Sequence, residues 1–458
     1  EDAQEIQLVR SSKSVRHAAQ TVAFTEGDPI EEELREYVPK NPSPAVNQFR
    51  GQVSYEESIL SDHAANIQTM QEGLVLRADM TRIGGTYWNF TGYWRGRLSS
   101  QSGAATLTTL NDLINRTYQI GFNYNNPNSR YVGGFGRFLL PWAPSLSTMD
   151  GAYFARRLGS AFTAGMFAGS TPDPTAWNYD PNRQMAGAFV AFEHGLYNGV
   201  RYTGTAGVAV TRSHWRPERQ FLFFENNLLI NTRFSLYYDL EADQLARELT
   251  PDGRNGPRLA RSFVTLRYQP VRRLSIDLSH NYFRDVPTFD TRLLGTGLLD
   301  QFLFQGFSGG VRVEVARGAS VYGNLGRSRG NQDAKAALNY SGGVTFNRFL
   351  TLPFRVDLRY SHFNSTFGNG AYESVTWSRD LGDKLRFSFE GGLQSLKSIY
   401  TNQDRSKYVN SSLDYLIGTH FILGAGWTLY RGGVQNYDQT FIDVGYRFSR
   451  TRPLLGEF

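Results

Sequence analysis

The sequence predicts an all-β protein: a large antiparallel transmembrane β-barrel of about 18–22 strands, about 22 by the fullest count, with a short N-terminal arm. Three observations carry this. From about Phe49 onward, apolar and polar residues alternate with a period of two almost to the end. The alternating runs are roughly 9–13 residues long, longer than the usual ~5–6 of globular strands and matched to the ~9–11 that a tilted strand needs to cross a bilayer. The connections between runs alternate between long and short along the chain.

Bulk composition narrows the alternatives. The 458 residues exceed what one ordinary soluble core fills. Aromatic residues make up 14%, with 25 Tyr, 32 Phe and 46 Gly, which suits many strands joined by turns. Mean hydropathy is −0.41. No run approaches the ~18–20 apolar residues of a membrane helix, so a helical membrane protein is not expected. Cysteine is absent, which excludes disulfides, thiolate metal sites, iron–sulfur clusters and Cys-attached haem in this chain. Net charge is +6 with both signs interspersed and no polybasic run, so no nucleic-acid partner is expected. The polar opening EDAQEIQLVR is not a signal peptide, so an exported protein is expected here in its mature form, with the leader removed.

Taken in order, residues 1–46 form a periplasmic arm or small plug, with a short helix over Pro29–Tyr37 and a Pro-rich exit, Val38–Pro44. The barrel occupies 47–450. In the stretch GGTYWNFTGYWRGRL, Gly84 and Gly85 make a tight turn. Trp88, Phe90, Gly92, Trp94, Gly96 and Leu98 then share one face, and Tyr87, Asn89, Thr91, Tyr93, Arg95 and Arg97 the other. Val200–Val210, Asn231–Ala242, Arg272–Phe283, Leu352–Asn364, Phe421–Leu429 and Thr440–Arg450 repeat the pattern. Between about 130 and 230, Gly and Ala weaken it. Long connections are expected near Leu60–Gln71, Ser99–Ile114, Pro141–Thr148, Ser170–Arg183, Arg212–Glu218, Asp243–Arg258 and Arg284–Gln301, with short turns between them. An even strand count puts both termini at the short-turn rim. Residues 451–458 form a C-terminal tail.

On these features the chain resembles Gram-negative outer-membrane β-barrels of the porin type over roughly 50–450. Phe441-Ile-Asp-Val-Gly-Tyr-Arg-Phe448 looks like the terminal targeting strand of that class, which usually ends on the aromatic. Here Thr451–Phe458 follow. The resemblance implies residence in the bacterial outer membrane with both termini periplasmic. It also implies a channel for polar solutes, anionic or carbohydrate. The alternative is the barrel subunit of a larger export or structural assembly, with a partner protein docking on residues 1–45. A barrel-embedded hydrolase is a distant third.

Candidate residues follow from the two faces. Tyr87, Tyr93, Arg95, Arg97, Arg267, Arg312, Arg355, Arg359, Arg386 and Arg447 are assigned to the lumen, where acids neighbour most of the arginines. Tyr237 and Tyr322 share that polar face. Trp88, Phe90, Trp94, Trp427, Tyr446 and Phe448 are assigned to lipid and its interfacial girdles, together with Tyr118, Tyr124, Tyr268 and Tyr360. Gly133-Gly-Phe-Gly136 and Gly295-Thr-Gly297 echo phosphate-binding loops, but no amphipathic helix follows either, so small residues in curved strands are expected. The seven His show no metal-binding spacing, and no nucleophile elbow is present. No metal, cofactor or catalytic residue is assigned. Loops 170–184, 243–258 and 284–302 are expected to narrow the lumen.

Overall fold

The computed structural model describes residues 46–103, 106–173, 177–245, 258–284, 303–330, 335–347, 354–364, 368–398, 404–433 and 436–451. The arm, the tail, the Gly295-Thr-Gly297 motif and most of loops 243–258 and 284–302 lie outside these residues.

Twenty-two strands form one antiparallel sheet. They are β1 (Gln48–Asp62), β2 (Ile67–Thr81), β3 (Trp88–Gly103), β4 (Thr106–Asn125), β5 (Tyr131–Phe138), β6 (Met149–Leu158), β7 (Phe162–Ser170), β8 (Arg183–Gly195), β9 (Val200–Ser213), β10 (Arg216–Ile230) and β11 (Phe234–Leu245). The second half comprises β12 (Arg258–Val271), β13 (Leu274–Arg284), β14 (Leu303–Ala316), β15 (Ala319–Gly330), β16 (Ala337–Phe346), β17 (Arg355–Asn364), β18 (Gly368–Leu381), β19 (Leu385–Ser398), β20 (Asp404–Ile417), β21 (Phe421–Arg431) and β22 (Asn436–Thr451). Each strand pairs with its sequence neighbours, and β1 pairs with β22 from Gln48↔Thr451 to Asp62↔Tyr437. The sheet is therefore closed. Closure is what the hydrocarbon demands, because each unpaired backbone group there costs several kcal/mol.

Both ends of the described barrel, Gln48 and Thr451, meet at one rim. The connections there are tight, as at 159–161, 231–233, 272–273 and 317–318. At the opposite rim the described connections include 139–148, 171–173 and 177–182. Three connections expected to be long are instead strand. The ladder runs on through β1 to Asp62 and from Ile67, through β3 and β4 around 104–105, and through β9 and β10 around His214 and Trp215. The apolar alternation fades in these stretches, but backbone pairing needs no apolar face and continues.

The outer face is largely apolar, with Glu57 and Glu72 opposite one another on β1 and β2 among the exceptions. Leu74, Leu76, Phe135, Phe154, Met166, Val190, Val208, Leu222, Leu278, Val311, Leu393, Val444 and others stand exposed on it. Near the termini-bearing rim, outward rings form a band. Trp88 packs on Tyr124 at 5.5 Å and Phe135 at 5.8 Å, Tyr131 on Phe154 at 5.6 Å, Phe162 on Phe192 at 4.8 Å, and Phe421 on Tyr446 at 5.0 Å. Amphipathic rings favour the membrane–water interface, which accounts for such a girdle.

The inner face differs by sector. On β5–β10 it is also apolar: Val132, Phe138, Tyr153, Phe167, Phe189, Ala209, Phe221 and Phe223 form a buried cluster. The connection 139–148 lies against it and contributes Leu140, Ala143 and Leu146, with Trp142 stacked on Phe189 at 5.0 Å. Both faces of this sector are thus apolar, so the period-two contrast is weak there. Phe223 is 0% exposed. Phe223→Ala is expected to cost about 3–5 kcal/mol, read as a lower melting temperature of the detergent-solubilised protein.

Candidate functional site, the lumenal lining

The connection 139–148 is an internal strap. At Ser145 the backbone N–H donates to Glu225 Oε2 on β10 at 3.2 Å, and the carbonyl accepts from Arg261 on β12 at 2.9 Å. Arg261 also pairs with Asp239 at 2.8 Å and Glu241 at 3.0 Å, and Arg219 pairs with Glu241 and Asp243. The network arises from inward positions on three adjacent strands, since Asp239, Glu241 and Asp243 alternate with outward Tyr238, Leu240 and Ala242. These groups sit in a half-dry sector, where charges persist only when paired. Beside the strap, Arg137 donates to both oxygens of Asp150, to the Thr117 carbonyl at 2.7 Å and to the Trp177 carbonyl at 2.9 Å. Gly136, next to it, takes φ +118°, a backbone conformation that residues with a side chain rarely adopt. The Arg137–Trp177 bond ties the 171–182 connection to the same wall.

The predicted lumen residues divide. Tyr93, Arg95 and Arg97 lie on the inner face of β3, opposite Arg77, Val75 and Gly73 of β2. Arg95 reaches Glu56 on β1 at 2.7 Å. Tyr87 precedes β3 in the turn at the termini-bearing rim, with the Arg82 guanidinium 4.9 Å from its ring, so it is not part of the lumenal wall of β3. Arg267 faces Asp277 at 3.6 Å, and Arg386 faces Asp380 at 2.9 Å. Arg312 sits 5.0 Å over Tyr322, whose hydroxyl donates to Asp357 at 3.0 Å. Arg355 and Arg359 stand opposite Ser378 and Ser374, and Arg447 opposite Gln52. The structure gathers these residues into separate patches around the wall and not into one site.

Of the lipid-side set, Trp88, Trp427 and Tyr446 are exposed on the outer face. Phe90 packs on Phe122 at 5.2 Å, Phe448 on Phe49 at 5.0 Å, and Trp94 donates its indole N–H to Asn115 at 2.5 Å. Tyr118 was expected outward and lies inward. A register shift between Tyr93 and Trp94 gives β4 one extra residue, and Tyr118 stacks on Tyr93 at 4.7 Å and contacts Trp177 at 5.7 Å.

One lumenal feature has no counterpart in the sequence reading. Tyr372, Tyr408, Tyr430 and Tyr437 stack across β18–β22 with centroids 5.3, 5.1 and 4.9 Å apart. The Tyr372 and Tyr408 hydroxyls donate to Glu390 at 2.6 and 2.8 Å. Gly392 leaves the space that the Tyr408 ring crosses. Register could have revealed it, because Tyr408 is opposite Tyr430 and Tyr430 opposite Tyr437. Among the described residues no group of three or more His, Asp or Glu is placed to hold a metal ion.

A closed sheet with an apolar, aromatic-banded exterior and a largely polar lumen is the architecture of a bacterial outer-membrane β-barrel. No protein-family model and no curated protein matches the chain. Among solved structures it is similar to the translocation pore of the P pilus usher PapC, with a TM-score of 0.54 and 9% identity over 88% of this chain and 100% of that one. It is less similar to OccK7 (OpdD) of Pseudomonas aeruginosa, with a TM-score of 0.45 and 11% identity over 88% and 99%. The ferric enterobactin receptor PfeA of the same organism gives 0.46 and 10% over 89% and 82%. At these identities the likeness concerns the fold.

Proposed function

We propose that the chain is an outer-membrane channel through which polar solutes pass, with both termini on the periplasmic side. The observation that carries this is the contrast between sectors of the lumen. A barrel of twenty-two strands encloses more space than its own side chains fill. The strap covers the inner face of β5–β10, whereas the remaining wall presents Arg, Asp, Glu, Ser, Asn and Tyr side chains suited to water. The strap narrows this space and sets how much of it conducts.

Purified chain reconstituted in planar bilayers is expected to give discrete ion conductance, and to migrate on gels as a heat-modifiable band. Absence of conductance, together with a stoichiometric co-purifying polypeptide that is lost when residues 1–45 are deleted, would replace the channel by a barrel that houses or docks a partner.

A further inference from the structure

A patch of positive charge stands on the outside of the barrel, at the rim away from the termini. Lys397 near the end of β19, Arg405 and Lys407 near the start of β20, and Arg431 at the end of β21 are all exposed. They share the outward phase of Leu393, Tyr415 and Trp427 on the same strands. Register brings them together. Lys407 stands between Leu393 and Arg431, Arg405 is opposite Ser395, and Lys397 is two residues beyond Ser395. Neighbours so placed have Cβ atoms about 5–8 Å apart, so one polyanionic headgroup can reach several of the four.

Counter-charge from the protein covers only part of the patch. Arg431 pairs with Asp438 at 2.8 Å, and Asp438 also meets His63 at 2.9 Å. Glu373 lies beyond Leu393, two strands away from Lys407. Among the described residues Lys397, Arg405 and Lys407 make no ion pair. The connections 365–367, 399–403 and 434–435, which border the patch, contain no Asp or Glu. Lys407 and Arg431 are directly opposite, an arrangement that costs stability across a strand pair unless an anion lies close by. Farther from this rim the same outward rows turn apolar, through Val409, Leu429 and Trp427. Cationic side chains at such a boundary lay their stems along apolar surface and place their charged ends at the level of the lipid headgroups.

Beside the patch the outer surface is indented. Gly391 has open space where a side chain would stand. It lies in a shallow groove of about 560 Å³ edged by Leu358, Tyr360, Val375 and Leu393, with Glu373 at the rim-side edge. Leu393, which borders the groove, is the direct neighbour of Lys407. We infer that Lys397, Arg405, Lys407 and Arg431 form a site for the phosphate groups of an outer-leaflet lipid, one of whose acyl chains lies in the groove over Gly391. This rests on the orientation in the channel reading, with the termini periplasmic, and adds a ligand on the lipid side of the wall. Charge alone would accept any anion. A phosphorylated lipid is the occupant that also fills an apolar groove continuous with the hydrocarbon.

The probe is lipid A, a glycolipid with two phosphates and several acyl chains, added to the detergent-solubilised full chain and counted by native mass spectrometry. The wild type is expected to retain one lipid A tightly. Lys397→Gln/Arg405→Gln/Lys407→Gln should raise the half-saturating lipid A concentration by about tenfold. Arg272→Gln/Arg317→Gln/Lys384→Gln, which removes the same charge from turns at the other rim, should leave it unchanged. Gly391→Leu, which fills the groove and alters no charge, should weaken retention as well. Heat-modifiable migration confirms that each variant folds. Equal retention by the wild type and the first triple variant overturns the site. Displacement of lipid A by inorganic phosphate at matching concentrations would make it a free-anion site and overturn the lipid. A tag inserted in 399–403 should be labelled on intact cells; labelling only after lysis overturns the orientation and with it the outer-leaflet assignment. A chain that conducts nothing, but retains lipid A with the expected dependence on these residues, overturns the channel and leaves the lipid site standing.

Discussion

Replacing Glu225 and Arg261 together by alanine is expected to raise single-channel conductance on the order of two-fold, because these side chains pin the strap. Each bond to Ser145 involves one charged partner and contributes about 1.5–3 kcal/mol. With both removed, 139–148 keeps its apolar contacts through Leu140, Trp142 and Leu146 but loses its polar anchor at the far end. It should then leave the lumenal wall for part of the time, which single-channel recording detects as a larger or noisier open level. The double variant also removes the cation that Asp239 and Glu241 share, although Glu241 keeps Arg219, so heat-modifiable migration must show that it folds before its current is read. Unchanged conductance in a correctly folded double variant would mean that the strap does not limit flow.

Val444→Arg is expected to destabilise the barrel by about 2–4 kcal/mol, the cost of a guanidinium facing lipid near the bilayer midplane. Val444 lies near the middle of β22, exposed on the outer face, opposite Tyr55 and Leu423. The folded, heat-modifiable band should diminish, and the urea midpoint should fall. Asp443→Asn, one residue away on the inner face, should fold normally. If both variants fold equally well, the assignment of faces in β22 is wrong.

Much of the fold is legible because lipid imposes one rule on every strand: apolar outward, at period two. That rule places Trp88, Trp427 and Tyr446 without knowledge of any contact. It fails where a second requirement is superposed. In β5–β10 the inner face must also be apolar to receive the strap, so Phe167 and Met166 follow one another without contrast. At Tyr118 an inserted residue shifts the phase of β4, and alternation has no means of registering a bulge. The strap itself, 139–148, was only a connection in the sequence, and the loops expected to narrow the lumen were others. Which loop turns inward depends on residues such as Glu225 and Arg261, far away in the chain. The tyrosine stack was missed for the same reason. Tyr437 reads as part of a turn until β22 is registered against β21, and only then does it complete a row with Tyr430 and Tyr408.

The seam between β1 and β22 also dictates an order of events during assembly. Every other strand pair joins sequence neighbours and can zip up as a hairpin with little loss of chain entropy. The pairing of Gln48 with Thr451 must instead wait until nearly the whole chain has been threaded into position. Until that moment two long strands carry open hydrogen-bonding edges that would template aggregation or join a neighbouring sheet. The seam is therefore the slow step of biogenesis and the place where an insertion machine, or a strand-mimicking inhibitor, would have to act.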